Sequence, residues 1–89
     1  MSDVDARFAQ AQLDVRALPE KPGNVTLTRM YALFKQATEG DVRGEKPGFA
    51  DIVGKYKHDA WASRRGLAQD TAKQDYAELV AALKSSAQS

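Results

Sequence analysis

Four segments of the chain repeat their apolar residues at steps of three and four, and this spacing constrains the fold most. Such steps align apolar side chains along one face of an α-helix, which has about 3.6 residues per turn. The four sets are Val4, Phe8, Ala11, Val15, Leu18; Leu27, Met30, Tyr31, Phe34, Ala37; Val53, Tyr56, Ala60, Trp61; and Ala72, Tyr76, Leu79, Val80, Leu83. Helices with one apolar face bury those faces against one another, so the sequence predicts an all-α four-helix bundle.

The predicted first helix has a signal at each end. Ser2 followed by Asp5 three residues later resembles a capping box, in which each side chain bonds a free backbone amide at the helix start. Pro19 ends the helix at Leu18, because a residue before proline is pushed out of the helical conformation. A turn then follows.

The second predicted helix has the clearest boundaries. Asn24 or Thr26 is the expected cap at its start, and Gly40 lies where a left-handed residue would end it. The segment from Gly40 to Gly48 is long for a connection between two antiparallel helices. Its length permits the second and third helices to run parallel.

The third and fourth predicted helices end less sharply. Gly66 is expected to terminate the third helix, whose apolar periodicity is the weakest of the four. The polar residues 85–89 are predicted to form a frayed tail.

Size and composition restrict the classes of protein that fit. The chain has 89 residues, a formal net charge of +1 and no cysteine, so we expect a single domain spanning residues 1–89 without a disulfide or thiolate metal site. The acidic first residues and the lack of a long apolar run predict neither a secretory signal nor a membrane span, which favours a cytoplasmic protein. The near-neutral charge disfavours a nucleic-acid binder.

Cations and aromatic rings concentrate in the middle of the chain. Residues 29–65 carry eight Lys and Arg against five Asp and Glu, a local excess of three positive charges. Tyr31, Phe34 and Lys35 share adjoining parts of one helix face, where rings can stack on a planar base and an ammonium can meet a phosphate. Core packing of the rings, and solvation of the lysines at positions 55 and 57, are the competing interpretations.

Catalysis and metal binding have little support in the sequence. His58 is the only histidine, and its neighbour Asp59 cannot orient it, because adjacent helical residues do not face each other. Without a cysteine or a second histidine, a metal site or a nucleophile and base pair is not predicted. We therefore expect neither an enzyme nor a bound cofactor or metal.

Three blocks in series, residues 31–41, 46–48 and 51–61, resemble the acyl-CoA-binding protein family in order and spacing. The resemblance extends from Phe8 to Leu83. It implies four helices in up-down-down-up order that bind long-chain fatty acyl-coenzyme A (acyl-CoA) thioesters and carry them without changing them chemically. Phe34 stands where the family commonly has tyrosine, and Val53 where some members have a lysine.

The resemblance also implies which residues bind the ligand. Tyr31, Lys35 and Lys57 match residues that hold the 3′-phosphate of the nucleotide, and Phe34 matches the ring that stacks on adenine. Tyr76 and Arg16 match residues that complete the ligand contacts. The implied site is Arg16, Tyr31, Phe34, Lys35, Lys57 and Tyr76.

The partners follow from this interpretation. We expect a monomer whose partner is the small-molecule ligand, with no stable membrane insertion and with transient contacts to enzymes that use acyl-CoA. The alternative is a helical protein-interaction module with no small ligand, whose aromatic face would dock a partner helix.

Overall fold

A computed structural model describes residues 3–48 and 50–88, with side chains described as far as residue 86. Four α-helices make up its regular structure: α1 (Asp3–Arg16), α2 (Asn24–Glu39), α3 (Ile52–Ala62) and α4 (Gln69–Gln88). The described residues contain no strand. The predicted all-α class and the number of helices are confirmed.

The ends of α1 and α2 differ from the sequence prediction in detail. α1 ends at Arg16, and Leu18 lies in a short turn in which its amide donates to the Val15 carbonyl at 3.4 Å. Ser2, the predicted cap, lies outside the described residues. Gly23 caps α2 without a side-chain bond, so the prediction of Asn24 or Thr26 as the cap is wrong: both lie inside the helix.

Gly40 ends α2 as predicted. Its φ of 81° lies in the region that favours glycine, and its amide donates to the Gln36 carbonyl at 3.0 Å. The long connection then reaches Asp51, whose carboxylate caps α3 by accepting from the Gly54 amide at 2.9 Å. The chain therefore leaves α2 and enters α3 through defined caps.

Two further boundary predictions need correction. α3 ends at Ala62, and Gly66, with a φ of 88°, instead closes the turn that follows it. Residues 85–88, predicted as a frayed tail, continue α4 as helix to Gln88. Their sequence lacks apolar periodicity but contains no helix breaker, so α4 extends beyond its apolar stripe.

Two ion pairs show that α1 and α4 run parallel. Lys73 near the start of α4 pairs with Asp5 near the start of α1, at 2.7 Å. Lys84 near the end of α4 pairs with Asp14 near the end of α1, at 3.1 Å. The partners advance together along both helices, so these helices point the same way.

Two contacts between cations and rings show the same relation for α2 and α3. The Lys57 ammonium lies 5.4 Å from the centre of the Tyr31 ring, and the Lys35 ammonium lies 4.8 Å from the centre of the Trp61 ring. Positions 31 and 35 thus meet positions 57 and 61 in the same order. The long connection makes this parallel pairing possible, as its length predicted.

α2 and α4 run in opposite directions. The Gln69 side chain at the start of α4 donates to the Ala37 carbonyl near the end of α2, at 3.2 Å. Leu33, earlier in α2, shares a groove with Asp75 and Leu79, later in α4. Together the three relations give the up-down-down-up order.

The core lies between α1, α2 and α4, and α3 stands at the edge. Among the described helices, α3 approaches only α2, and Trp61 is its one buried residue. The Trp61 ring nitrogen donates to the Gly40 carbonyl at 2.8 Å. Val53 and Tyr56 are 65% and 58% exposed, so the prediction that they face the core is wrong: a helix with one neighbour buries only a narrow stripe. The buried core is Phe8, Ala11, Met30, Leu33, Ala37, Ala72, Tyr76, Ala77 and Val80.

Candidate functional site

A groove of about 630 Å³ opens between the first halves of α2 and α3. Its lining combines apolar and aromatic surface with polar and cationic groups. The lining residues are Lys21, Asn24, Leu27, Thr28, Tyr31, Ile52, Val53, Tyr56 and Lys57. A groove of this composition suits an amphipathic ligand, because apolar walls bury a chain while cations bind an anionic end.

Tyr31 and Lys57 meet at this groove. Tyr31 is half-buried on α2, Lys57 is exposed on α3, and the parallel pairing of the helices places the ammonium 5.4 Å from the ring centre. This distance is within the range of an attractive cation–π contact. An anion bound here would meet a positive charge whose position the tyrosine ring defines.

Phe34, Tyr76 and Phe8 form a cluster of three rings from three helices. The Phe34 ring lies 6.4 Å from Tyr76 and 6.0 Å from Phe8, while Phe8 and Tyr76 meet edge to face at 5.2 Å. Phe8 and Tyr76 are buried, but 36% of Phe34 is exposed. Phe34 thus presents ring surface to solvent while it packs on two buried rings, as a stacking residue needs.

Burial raises the pKa of the Tyr76 hydroxyl above its ordinary value of 10.0, and the positive charge of Arg16 partly opposes this effect. The hydroxyl therefore stays protonated at neutral pH and can donate a hydrogen bond. Arg16 is the exposed last residue of α1, and its positive charge acts on Tyr76 of the predicted site.

Lys35 has two close neighbours. Its ammonium forms an ion pair with the carboxylate of Glu39, one helical turn later, and lies against the face of Trp61. The hydrogen bond from Lys35 is the main cause that holds the pKa of Glu39 below its ordinary value. The second Glu39 oxygen accepts from Arg43 at 3.2 Å, so the predicted phosphate ligand Lys35 already belongs to a charge network.

The ring nitrogens of His58 form no hydrogen bond with the neighbouring Asp59. The Asp59 carboxylate instead bonds Lys46 at 2.8 Å, and this bond is the main cause that lowers its pKa. No group of three or more His, Cys, Asp or Glu side chains suited to a metal occurs in the described residues. Within the same residues, no helix combines the length and the apolar character required to cross a bilayer.

Sequence reasoning missed part of the groove. Lys21, Asn24 and Thr28 line it from the start of α2 and the preceding turn, and Ile52 lines it from the first turn of α3. A usable signal was present, because Ile52 and Val53 add apolar surface to the first turn of the helix with the weakest apolar periodicity. Ile52 is 75% exposed. Such exposed apolar surface at the start of a helix marks a candidate binding surface.

Comparisons with known proteins agree with this geometry. The sequence matches the family described as "Acyl CoA binding protein" over residues 5–80. It is 45% identical to Acyl-CoA-binding protein homolog 1 of Caenorhabditis elegans, an alignment that covers 82% of this chain and 85% of the relative. The crystal structure of ACBP from Moniliophthora perniciosa superposes with a TM-score of 0.89 at 38% identity, covering 100% of this chain and 86% of that one.

A second kind of relative is much longer than this chain. Enoyl-CoA delta isomerase 2 of Rattus norvegicus is 46% identical over 81 residues, which is 91% of this chain. The chain spans about a fifth of that protein, 21% of its length. The similarity therefore concerns one part of the longer relative.

Proposed function

The chain belongs to the acyl-CoA-binding protein family, and from that premise we propose that it binds long-chain acyl-CoA thioesters and carries them without chemical change. The observation that supports this most directly is the groove between α2 and α3, which apolar residues line together with Lys57. The alternative, a protein-interaction module without a small ligand, is not favoured by these relatives.

The acyl chain would occupy the apolar part of this groove. Ile52, Val53 and Tyr56 expose most of their surface there, and a bound chain would remove that surface from water. Each buried methylene contributes about 0.8 kcal/mol, which corresponds to roughly a fourfold change in affinity. Affinity should therefore rise steeply with chain length until the groove is filled.

The nucleotide end would bind where the cations and rings lie. Lys57 and Lys35, on parallel helices, supply positive charge for the 3′-phosphate, and Tyr31 lies beside Lys57. Phe34 presents its exposed ring surface for adenine to stack on. Tyr76 and Arg16 would complete the contacts from α4 and α1. The division between an apolar groove and a cationic end selects a thioester of coenzyme A over a free fatty acid.

Carriage implies that the protein has no reaction to perform, and we propose that this chain acts as a cytoplasmic, monomeric carrier. The Asp59 carboxylate bonds Lys46 and does not orient the His58 ring as a general base would require. This arrangement supports a binding protein over an enzyme. Enzymes that use acyl-CoA are the proposed transient partners. The ligand itself is then the only small molecule that the function requires.

Titration calorimetry tests the proposal with three ligands: coenzyme A, a short-chain thioester and a long-chain thioester. We expect affinity to increase in that order by orders of magnitude, because each step adds buried methylenes. Equal affinity for all three would contradict the proposal.

A matched pair of variants locates the acyl chain. Ile52→Ser should lower the affinity for the long-chain thioester several-fold and leave the affinity for coenzyme A unchanged. Leu13→Ser, which changes an exposed residue on α1, serves as the control and should alter neither affinity. Equal effects of the two substitutions would exclude the groove as the acyl site.

A further inference from the structure

Glu39, the last residue of α2, has a cation on each oxygen of its carboxylate. Oε2 accepts from the Lys35 ammonium, and Oε1 accepts from the Arg43 guanidinium at 3.2 Å. Arg43 also donates to the Glu39 backbone carbonyl at 3.4 Å. The carboxylate therefore lies between two cations at the point where the helix ends.

Helix energetics do not favour a carboxylate at this position. The carboxyl end of a helix carries a partial negative charge, which repels an acidic side chain in the last turn. A lysine that precedes a glutamate by four residues is also the weaker orientation of such a pair. A residue that opposes a local preference is expected where it serves the site instead of the helix.

The ammonium of Lys35 has little free space around it. Glu39 lies on one side, the Trp61 ring lies 4.8 Å away, and 23% of the lysine side chain is exposed. Because Lys35 holds the pKa of Glu39 below its ordinary value, the carboxylate is ionised at neutral pH. A phosphate oxygen that bonds Lys35 would either displace this carboxylate or lie beside it.

We propose that Glu39 is a positioning residue that competes with the ligand phosphate for Lys35, and so weakens the binding of phosphorylated coenzyme A ligands. This inference rests on the proposed function. Glu39 holds the ammonium near Trp61 and opposes the phosphate by like-charge repulsion, while Arg43 draws part of the carboxylate away from Lys35. The residue thereby determines how strongly the protein distinguishes a ligand with a 3′-phosphate from one without it.

Calorimetry on the full chain tests the proposal with a long-chain acyl-CoA and with its 3′-dephospho analogue. Glu39→Gln should bind the phosphorylated ligand roughly three- to tenfold more tightly, because one opposing charge is removed a few ångströms from the phosphate. Binding of the dephospho analogue should stay unchanged. The gain should shrink at high ionic strength, since salt screens partly exposed charges.

Glu78→Gln is the matched control for net charge. Glu78 lies on α4 and lines a different groove with Arg29 and Arg64. This variant should bind both ligands like the unchanged protein. Unchanged or weaker binding of the phosphorylated ligand by Glu39→Gln would overturn the proposal, as would an equal gain for both ligands.

A second variant separates competition between Glu39 and the phosphate from a direct contact between Arg43 and the phosphate. Arg43→Gln should weaken binding of the phosphorylated ligand when Glu39 is present, because the carboxylate then belongs to Lys35 alone. The weakening should be clearly smaller in the Glu39→Gln background, because Arg43 then acts on the phosphate only through its own charge. Equal weakening in both backgrounds would overturn the proposal.

These results are distinguishable from a failure of the proposed function. If the unchanged protein binds no long-chain acyl-CoA, the proposed function fails. If the unchanged protein binds it but Glu39→Gln does not bind more tightly, only the role of Glu39 is refuted.

Discussion

The two sides of this small bundle use similar residues for different purposes. On the α1 and α4 side, Phe8 and Tyr76 are buried, and the lysines of α4 pair with aspartates of α1. On the α2 and α3 side, Tyr56 is exposed, and Lys57 lies against a ring instead of a carboxylate. The comparison teaches that the number of neighbouring helices decides whether the rings and lysines of a helix are buried and paired or left available. α4 packs between two helices, whereas α3 packs only on α2.

The largest expected difference concerns stability. Leu33→Ala removes a buried core side chain and should lower the free energy of unfolding by about 2–5 kcal/mol. Tyr56→Ala removes an exposed ring on α3 and should change it by less than about 0.5 kcal/mol. Denaturant unfolding followed by circular dichroism measures both. Equal losses in the free energy of unfolding would show that α3 contributes to the core as α2 does.

A smaller effect should separate the lysines of the two sides. Lys57→Ala should lower the affinity for long-chain acyl-CoA by roughly tenfold, since one cation facing the phosphate is lost. Lys84→Ala removes a cation that pairs with Asp14 across α1 and α4, and should leave ligand binding unchanged. Calorimetry on the two variants compares them directly. A loss of affinity in Lys84→Ala but not in Lys57→Ala would contradict the proposed position of the phosphate beside Lys57.

The smallest effect concerns the junction that joins the two sides. The Asp41 carboxylate accepts from the Gly66 amide at 2.8 Å and from the Gln36 side chain at 2.9 Å. The bond from Gly66, and then that from Gln36, hold the pKa of Asp41 below its ordinary value of 3.8. Such a carboxylate stabilises the folded state above its unfolded pKa, and that stabilisation is lost as pH falls through the folded pKa.

Asp41→Asn should therefore lower stability at neutral pH and reduce the decline in stability below about pH 4. The decline should not vanish, because Asp14, Glu39 and Asp59 also have lowered pKa values. Unfolding free energies measured from pH 7 downward provide the test. Parallel pH profiles for the variant and the unchanged protein would mean that Asp41 does not couple folding to protons.

Most of the fold was predictable, because local spacing carries the helical signal. The apolar stripes predicted four helices, and Gly40 predicted the end of α2. The failures lie where context outweighs local pattern. Asn24 was expected to cap α2, yet the helix begins after Gly23. Gly66 was expected to end α3, yet a turn intervenes.

The candidate site was predictable in part. Spacing placed Tyr31, Phe34 and Lys35 on adjoining faces of one helix, and the family resemblance added Arg16, Lys57 and Tyr76. The role of all six in binding stays a prediction. The competing interpretation of Phe34 as a core ring is half right, since the ring packs on Phe8 and Tyr76 but keeps an exposed part.

The sequence by itself determined the helices, the long connection between α2 and α3, and the concentration of cations in the middle of the chain. These follow from local conformational preference and from composition. Only the tertiary structure decided that Lys57 lies on Tyr31, that Lys35 is paired with Glu39, and that Ile52 and Val53 stay exposed. The reason is physical: periodicity specifies which residues share a helix face, but the packing of neighbouring helices decides which faces are buried.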